Sequence, residues 1–362
     1  EMVIRDWSSD VCSSDLHWTY DIPFALITGT TLVTTLHYFL SYAAHFAFKD
    51  SNIHPMLISN LIILVLFSAG VIYFLNKSRF CITKPLTAAG RAYAALKAYF
   101  GSSPKSYAVI LWGFALFSVY LIFYSFVVKG SILHSGYTVF SDFAPHTAVI
   151  SSFAYGDNFP TDYPHFAGDG IQYHFFFFYL CSNLLYLGAR FDFAMNVPTI
   201  IGILSFTTLL GSLGVLLTKR RAVFFFAPFM LFFRSSYAIF DYLKELNSKP
   251  GADLASIIKD IFATSKFIGT TVHDDWGLWA MNVYATQRHF LWGISMLLVV
   301  IFIMYPTISV SLSDKSGRNS GFKAFTGYFT SAGLWKVTDL RKYIPVIALT
   351  AVFLYWHGTV RR

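Results

Sequence analysis

Residues 193–217 of this chain read FAMNVPTIIGILSFTTLLGSLGVLL, an apolar run long enough to cross a membrane. A spanning helix needs roughly 20 predominantly apolar residues, because backbone groups in hydrocarbon must form their hydrogen bonds within the same segment. The whole chain has the same character, with 55% hydrophobic, 19% aromatic and 13% charged residues and a mean hydropathy of +0.54. This composition is typical of a polytopic membrane protein and excludes an ordinary soluble domain.

Other stretches meet the same criterion of length and apolarity. They are residues 24–48, 56–75, 107–128, 172–188 and 289–305, followed by a shorter stretch at 343–357. The apolar segment 222–233 covers only about twelve residues, so it is predicted to be re-entrant or interfacial. The sequence therefore predicts an all-α integral membrane protein with about seven transmembrane helices and short interfacial helices in its outer loops.

The distribution of Lys and Arg predicts the orientation in the membrane. Residues 76–106 carry six Lys and Arg with no acidic residue, and residues 311–342 carry six against two acidic residues. Both loops are predicted to be cytoplasmic, since basic residues concentrate on that side. Loops 129–171 and 234–288 then face outward, provided that 222–233 does not cross, although the basic residues 219–221 would lie on the outer side against the rule. We expect a multi-pass protein of the cell inner (cytoplasmic) membrane.

Residues 1–16, EMVIRDWSSDVCSSDL, resemble the in-frame translation of a sequencing-library adapter, so they are excluded from reasoning about the fold. Residues 17–362 are expected to form a single polytopic membrane domain and to be a fragment of a longer chain. The three cysteines, at positions 12, 81 and 181, lack metal-ligand spacing. They predict neither a disulfide framework nor a zinc site.

The first outer loop concentrates polar side chains, and residues 141–175 read SDFAPHTAVISSFAYGDNFPTDYPHFAGDGIQYHF. Asp142 and His146 are spaced i, i+4, so a helix over residues 141–153 would place them on one face. A carboxylate beside an imidazole can act as a general base on an attacking hydroxyl, or can help to hold a divalent cation. The alternative is a helix cap or a solvated face.

The rest of this loop predicts a binding surface. Its Pro and Gly residues exclude regular structure, and its aromatic side chains favour an ordered loop. Aromatic rings beside carboxylates such as Asp157 are common in sugar-binding clefts. Tyr173 and His174 precede the next apolar stretch, where Tyr173 fits an interfacial aromatic belt and His174 is predicted to face a cavity or a partner.

The second outer loop ends in Gln287 and Arg288, at the start of an apolar stretch. A guanidinium offers a planar fork of donors suited to phosphate oxygens, so Arg288 is predicted to bind the phosphate of a membrane-embedded lipid. The alternative is an interfacial anchor that extends toward lipid headgroups.

The order of these motifs resembles bacterial membrane proteins of the GT-C glycosyltransferase superfamily, over about residues 107–304. The motifs are SDFAPH, NFPTDYPHFAG and YHF, followed by NVYATQRHF. The resemblance implies a polyprenyl-phosphate-linked sugar as donor, Asp142 as catalytic base, and Arg288 near the lipid phosphate. The superfamily's second acid has no counterpart beside Asp142, so either His146 or Asp157 substitutes for it or Asp142 is not catalytic.

Two functions follow as hypotheses. The first is a membrane glycosyltransferase that moves a sugar from a polyprenyl-phosphate-linked donor to a saccharide, lipid or protein acceptor. Gln287 would help Arg288 to stabilise the departing phosphate. The second is a multi-pass transporter or flippase for a lipid-linked or small polar substrate, with His37 or His45 along its path. No cofactor is predicted beyond a possible divalent cation, and no nucleic acid partner is expected.

Overall fold

The computed structural model describes residues 17–77, 103–136, 142–166, 173–232, 238–264 and 283–313, and a few single positions outside these ranges. Ten helices and one pair of strands lie in this part of the chain. In order they are α1 (His17–Ala47), α2 (Pro55–Lys77), α3 (Lys105–Ser125), β1 (Phe126–Lys129), β2 (Ile132–Ser135), α4 (Phe143–Ala154), α5 (Phe176–Tyr186), α6 (Phe191–Thr218), α7 (Val223–Phe232), α8 (Ala238–Asn247), α9 (Leu254–Ala263) and α10 (Phe290–Ser313). The protein is thus mostly helical, as the sequence predicted.

Among the described residues, four helices are long and apolar enough to cross a membrane, namely α1, α2, α3 and α6. They coincide with the predicted stretches 24–48, 56–75, 107–128 and 193–217, so the protein is membrane-embedded. The predicted stretch 289–305 becomes the first part of α10, whose apolar portion is Phe290–Tyr305. The stretch 343–357 lies outside the described residues except for four positions.

The predicted span at residues 172–188 is wrong in its extent. The structure has an eleven-residue helix there, α5, which is about 16 Å long at 1.5 Å per residue and so shorter than a bilayer core. The helix begins only at Phe176, because the polar residues before it take non-helical positions in the site described below. It ends before Gly188, whose φ of +95° stops a helix.

The small hairpin β1–β2 is the one departure from an all-α fold in the described residues. Its strands pair antiparallel, with Phe126 opposite Ser135, and Gly130 supplies the positive φ of +63° that the tight turn needs. Two side chains of α6 hold the first strand, since Val128 N–H donates to Asp192 and Asn196 donates to the Phe126 carbonyl. The predicted span 107–128 therefore ends as a helix at Ser125 and continues as a strand.

Helix α6 lies at the centre of the fold and packs against α1, α3, α5, α7 and α10. Small residues allow its neighbours to approach closely, as is common between helices in membranes. A Cβ at Gly202 would lie 3.3 Å from the Trp292 ring, and a Cβ at Gly211 would lie 2.7 Å from the Phe224 carbonyl oxygen. The long apolar stretch at residues 193–217 is therefore also the hub of packing.

Helix α7 folds back on α6 after a tight turn. Lys219 takes a left-handed conformation, with a φ of +57°, and ends α6. At ten residues, α7 is about 15 Å long, so it is too short to cross the bilayer core, as predicted for residues 222–233.

Helices α8 and α9 are short and amphipathic. In α9, Leu254, Ile258 and Phe262 are 75%, 46% and 86% exposed and share one face, because they are spaced four residues apart. Asp253 caps the same helix by accepting a hydrogen bond from the Ser256 backbone N–H. An exposed apolar stripe on a capped helix suits the membrane interface.

The close approach of α6 and α7 gives a stability prediction for Gly211→Ala. The added Cβ meets backbone that cannot turn aside, so we expect the free energy of unfolding to fall by about 1–3 kcal/mol. The measurement is thermal denaturation in mild detergent. Gly113→Ala is the matched control, because a Cβ at Gly113 in α3 meets nothing within 4 Å. Equal stability of the two variants would contradict the packing described here.

Candidate functional site

Asp142 lies at the N-terminal end of α4, and its carboxylate is partly exposed. Gln287 donates from its Nε2 to the Asp142 carboxylate at 2.5 Å, although the two residues are 145 positions apart in the chain. Gln287 is part of the turn over residues 283–289, which leads into α10. The structure thus joins loop 129–171 to loop 234–288 at two residues that the sequence singled out.

Arg288 follows Gln287 and points into the protein, where it is 2% exposed. Its Nε donates to the Ala285 carbonyl at 2.9 Å, and its Nη2 donates to the Ile122 carbonyl at 3.2 Å and to the Ser125 hydroxyl at 3.0 Å. Its Nη1 donates to the Asn196 side-chain oxygen. Direct binding of a lipid phosphate by this guanidinium stays a prediction, and the structure places the guanidinium below the surface rather than at it.

The buried charge of Arg288 has only neutral hydrogen-bond partners in the described part of the chain. The rings of Phe126 and Phe143 flank the guanidinium at 5.4 and 5.3 Å, which gives cation–π stabilisation. Burial lowers the pKa of Arg288 to about 9, so it keeps its charge at neutral pH. A buried cation whose described hydrogen-bond partners are all neutral is costly to keep charged.

Three histidines come together beside this pair, and we refer to His146, His174 and His289 as the histidine cluster. The rings of His174 and His289 are 3.7 Å apart, and those of His146 and His289 are 6.0 Å apart. The His146 Nε2 lies 3.2 Å from the Tyr173 hydroxyl. Within the described residues, no group of three His, Cys, Asp or Glu side chains has an arrangement that could hold a metal ion.

Burial keeps His146 of this cluster neutral and keeps the neighbouring Tyr173 protonated. His146 is 1% exposed, and burial, together with the charges of His174 and Arg288, lowers its pKa to about 3. Burial also raises the pKa of Tyr173 to about 12, with a further contribution from the Asp142 carboxylate. The site therefore offers one carboxylate, one neutral imidazole and one phenol, which can all hydrogen-bond to hydroxyl groups.

Asp157 lies away from this group, beyond the C-terminal end of α4. The twelve residues of α4 separate the two ends by about 18 Å. The Asp157 carboxylate pairs with His45 Nδ1 at 2.8 Å and is 48% exposed. Of the two residues expected to stand in for a second acid, only His146 lies near Asp142, and Asp157 is not brought into the same site.

Two residues of the site escaped the sequence interpretation. In the sequence, His289 is only the start of an apolar stretch, and Asn196 is part of a predicted spanning helix. Asn196 is fully buried, and its side chain connects Arg288 with the Phe126 carbonyl. A polar side chain inside an apolar run is a signal that could have identified it, since such residues usually have a partner.

The lowered pKa of His146 predicts a loss of stability in mild acid. Below about pH 6.5 the unfolded chain binds a proton that the folded chain excludes, so the cost rises to about 2 kcal/mol at pH 5 and is absent above the unfolded pKa. We expect His146→Gln to lose less stability between pH 7 and pH 5 than the wild-type protein does. Thermal denaturation at both pH values measures this difference.

The control for this prediction is His165→Gln, which changes an exposed histidine of the same loop. It should respond to pH as the wild-type protein does. Identical pH dependence of His146→Gln and the wild-type protein would contradict a buried, neutral His146.

Comparison with known proteins leaves the function to be argued from this geometry. No protein-family model, no curated protein and no solved structure matches the chain. The candidate site consists of the partly exposed Asp142 with its contact to the Gln287 amide, the buried cation of Arg288, and the histidine cluster with Tyr173.

Proposed function

We propose that this protein is a membrane glycosyltransferase that transfers a sugar from a polyprenyl-phosphate-linked donor to an acceptor hydroxyl. The observation that carries the proposal is the contact between Asp142 and Gln287 next to the buried Arg288. Displacement of a phosphate by a hydroxyl needs a base for the incoming proton and positive charge for the leaving group. In this proposal Asp142 supplies the base, and Arg288 supplies the positive charge.

In the proposed step, Asp142 takes the proton of the acceptor hydroxyl. The acceptor oxygen forms a bond to the anomeric carbon, while the bond between that carbon and the phosphate oxygen breaks. The electron pair of the broken bond leaves with the polyprenyl phosphate, and attack from the opposite side inverts the anomeric centre. One carboxylate suffices, because a phosphate leaves as an anion and needs no second acid of the kind that glycosidases use.

In this proposal Arg288 stabilises the phosphate through its electrostatic field rather than by direct hydrogen bonds. Four of its N–H groups are used by protein acceptors, so its charge, rather than its donors, faces the phosphate. Charges interact strongly in a low-dielectric interior, which extends the reach of a buried cation. Gln287 fixes the orientation of the Asp142 carboxylate, and Tyr173 with His146 provides neutral hydrogen-bonding groups for sugar hydroxyls.

The position of the chemistry is also part of the proposal. The counts of Lys and Arg favour an outward-facing position for the loops that carry Asp142 and Gln287. A donor anchored in the bilayer by its polyprenyl chain would reach such a site from the membrane plane. The acceptor would be a saccharide, a lipid or a protein on the outer side of the inner membrane.

The test uses the purified full chain in proteoliposomes with a panel of polyprenyl-phosphate-linked hexoses and pentoses and of nucleotide sugars. We expect release of polyprenyl phosphate that depends on an added acceptor, and a product with the opposite anomeric configuration. Turnover with nucleotide sugars alone, or no release of polyprenyl phosphate from any member of the panel, would overturn the proposal.

Transport is the second candidate, because one cavity lies among the spanning helices and is lined by His37. Coupled transporters usually carry carboxylates deep in the membrane. In α1, α2, α3 and α6 the carboxylates are Asp21 and Asp192, both close to a helix start, and Arg190 neutralises Asp192 at 2.6 Å. Uptake of a labelled substrate into proteoliposomes, without any chemical conversion, would favour transport.

A further inference from the structure

A cavity of about 300 Å³ lies between α1, α2 and α5. Its polar lining includes His37 from α1, Asn60 from α2 and Asn183 from α5. Gly29 and Val33 also line it and lie on the exposed face of α1, which is a spanning helix. The cavity therefore opens toward lipid and is distinct from the site at Asp142.

A chain of hydrogen bonds determines which ring nitrogen of His37 carries the proton. The Ser59 hydroxyl donates to the Pro55 carbonyl at 3.2 Å, because a carbonyl can only accept. Ser41 then donates to Ser59 at 2.8 Å, and the Tyr179 hydroxyl donates to Ser41 at 2.9 Å. Since the proton of Tyr179 is used in this way, its oxygen accepts from His37 Nδ1 at 2.8 Å. His37 thus carries its proton on Nδ1.

The other ring nitrogen of His37, Nε2, is therefore an acceptor. His37 is 3% exposed. The Asn60 side chain and the Met56 backbone interact with its ring, and Nε2 itself has no hydrogen-bond partner of normal geometry among the described residues. Buried acceptors are normally satisfied, so an unsatisfied one on a residue that lines a cavity points to a missing donor. The missing group is a hydrogen-bond donor, and a hydroxyl is the simplest one.

The rest of the lining favours an uncharged ligand. Asn60 and Asn183 exchange hydrogen bonds between their side-chain amides at 2.8 and 3.2 Å. The described residues that line the cavity include no charged side chain, and an ion would be costly there without a partner. The exposed Val33 at the opening suits an apolar chain that continues into the bilayer.

We propose that this cavity binds the hydroxyl group of a neutral membrane lipid, that is, an uncharged alcohol with a long apolar chain. The hydroxyl donates to His37 Nε2, and the amides of Asn60 and Asn183 surround it. The chain of the lipid leaves past Gly29 and Val33. This binding site does not depend on the glycosyltransferase proposal, since it shares none of the residues of the site at Asp142.

The experiment uses the full chain in lipid nanodiscs with a photoreactive diazirine derivative of a long-chain alcohol, and with the methyl ether of the same probe. The ether keeps the apolar chain and lacks the donor. We expect the alcohol to label peptides of α1 or α5 at least 10-fold more than the ether does, and unlabelled alcohol to compete. Equal labelling by both probes would overturn the proposal. No labelling of these helices would also overturn it, because a water molecule rather than a lipid would then donate the hydrogen bond to His37.

Two variants separate the cavity from general lipid contact. His37→Phe removes the acceptor and should lower alcohol labelling at least 10-fold, whereas His45→Phe, two turns along the same helix, should leave it unchanged. Gly29→Leu blocks the opening, and a Cβ at Gly29 meets nothing within 4 Å, so the fold accommodates it. It should reduce labelling even where His37→Phe fails to fold, and undiminished labelling of Gly29→Leu would contradict the proposal.

Discussion

Replacement of Asp142 with asparagine is expected to lower the rate of sugar transfer by about 10²- to 10⁴-fold, the usual contribution of a general base. Asparagine has nearly the same shape, and its side-chain oxygen can still accept the hydrogen bond from Gln287. The fold and the donor affinity should therefore change little, while the proton acceptor is lost. Initial rates of polyprenyl phosphate release measure the effect, with donor binding measured in parallel.

Two further variants serve as controls for the Asp142→Asn result. Asp142→Glu keeps the carboxylate and should retain part of the activity. Asp241→Asn removes an exposed acid of α8 and should behave as the wild-type protein does. A rate of Asp142→Asn within about threefold of the wild-type rate would remove Asp142 from the role of base.

Replacement of Arg288 with methionine is expected to abolish much of the stabilisation that a lipid phosphate gives to the folded protein. A ligand at 100 times its Kd stabilises by about 2.7 kcal/mol, so a tenfold weaker ligand at the same concentration stabilises by only about half as much. The wild-type protein should show a clear rise in denaturation temperature with a short prenyl phosphate. Arg288→Met should lose half of that rise or more, because the only charge change lies at the buried guanidinium.

Controls distinguish the charge of Arg288 from its packing. Arg288→Lys keeps the charge, although it loses the planar fork that bonds Ile122, Ser125 and Asn196, so it should retain part of the response. Arg220→Met removes an exposed charge at the turn between α6 and α7 and should respond to ligand as the wild-type protein does. An undiminished response of Arg288→Met would show that the buried cation does not act on the phosphate.

The membrane class and the long helices could be predicted from the sequence, because apolar length alone determines a spanning helix. Residues 193–217 illustrate this, since they form most of α6. Residues 172–188 show where prediction from apolar length fails. Mean hydropathy over this stretch does not show that the helix begins only at Phe176. Tyr173 and His174 lie before the helix and belong to the site.

The hairpin and the pairing within the site could not be predicted, because both depend on contacts between distant residues. Phe126–Lys129 is apolar enough to continue a helix, and it becomes a strand where Asp192 and Asn196 bind its backbone. Polar residues in apolar surroundings identified Asp142, Gln287 and Arg288 individually. That Gln287 would reach Asp142 while Arg288 turned inward is decided only when α10 packs against α6.

A structure with a bound, unreactive phosphonate analogue of a polyprenyl-phosphate sugar tests Asp142 as the base most directly. A base contacts the acceptor oxygen at about 3 Å, and that oxygen lies about 3–3.5 Å from the anomeric carbon before attack. The anomeric carbon should therefore lie roughly 6 Å from the Asp142 carboxylate, with the phosphonate on the far side of the sugar and toward Arg288. A sugar bound elsewhere, or a phosphonate between the sugar and Asp142, would contradict the mechanism.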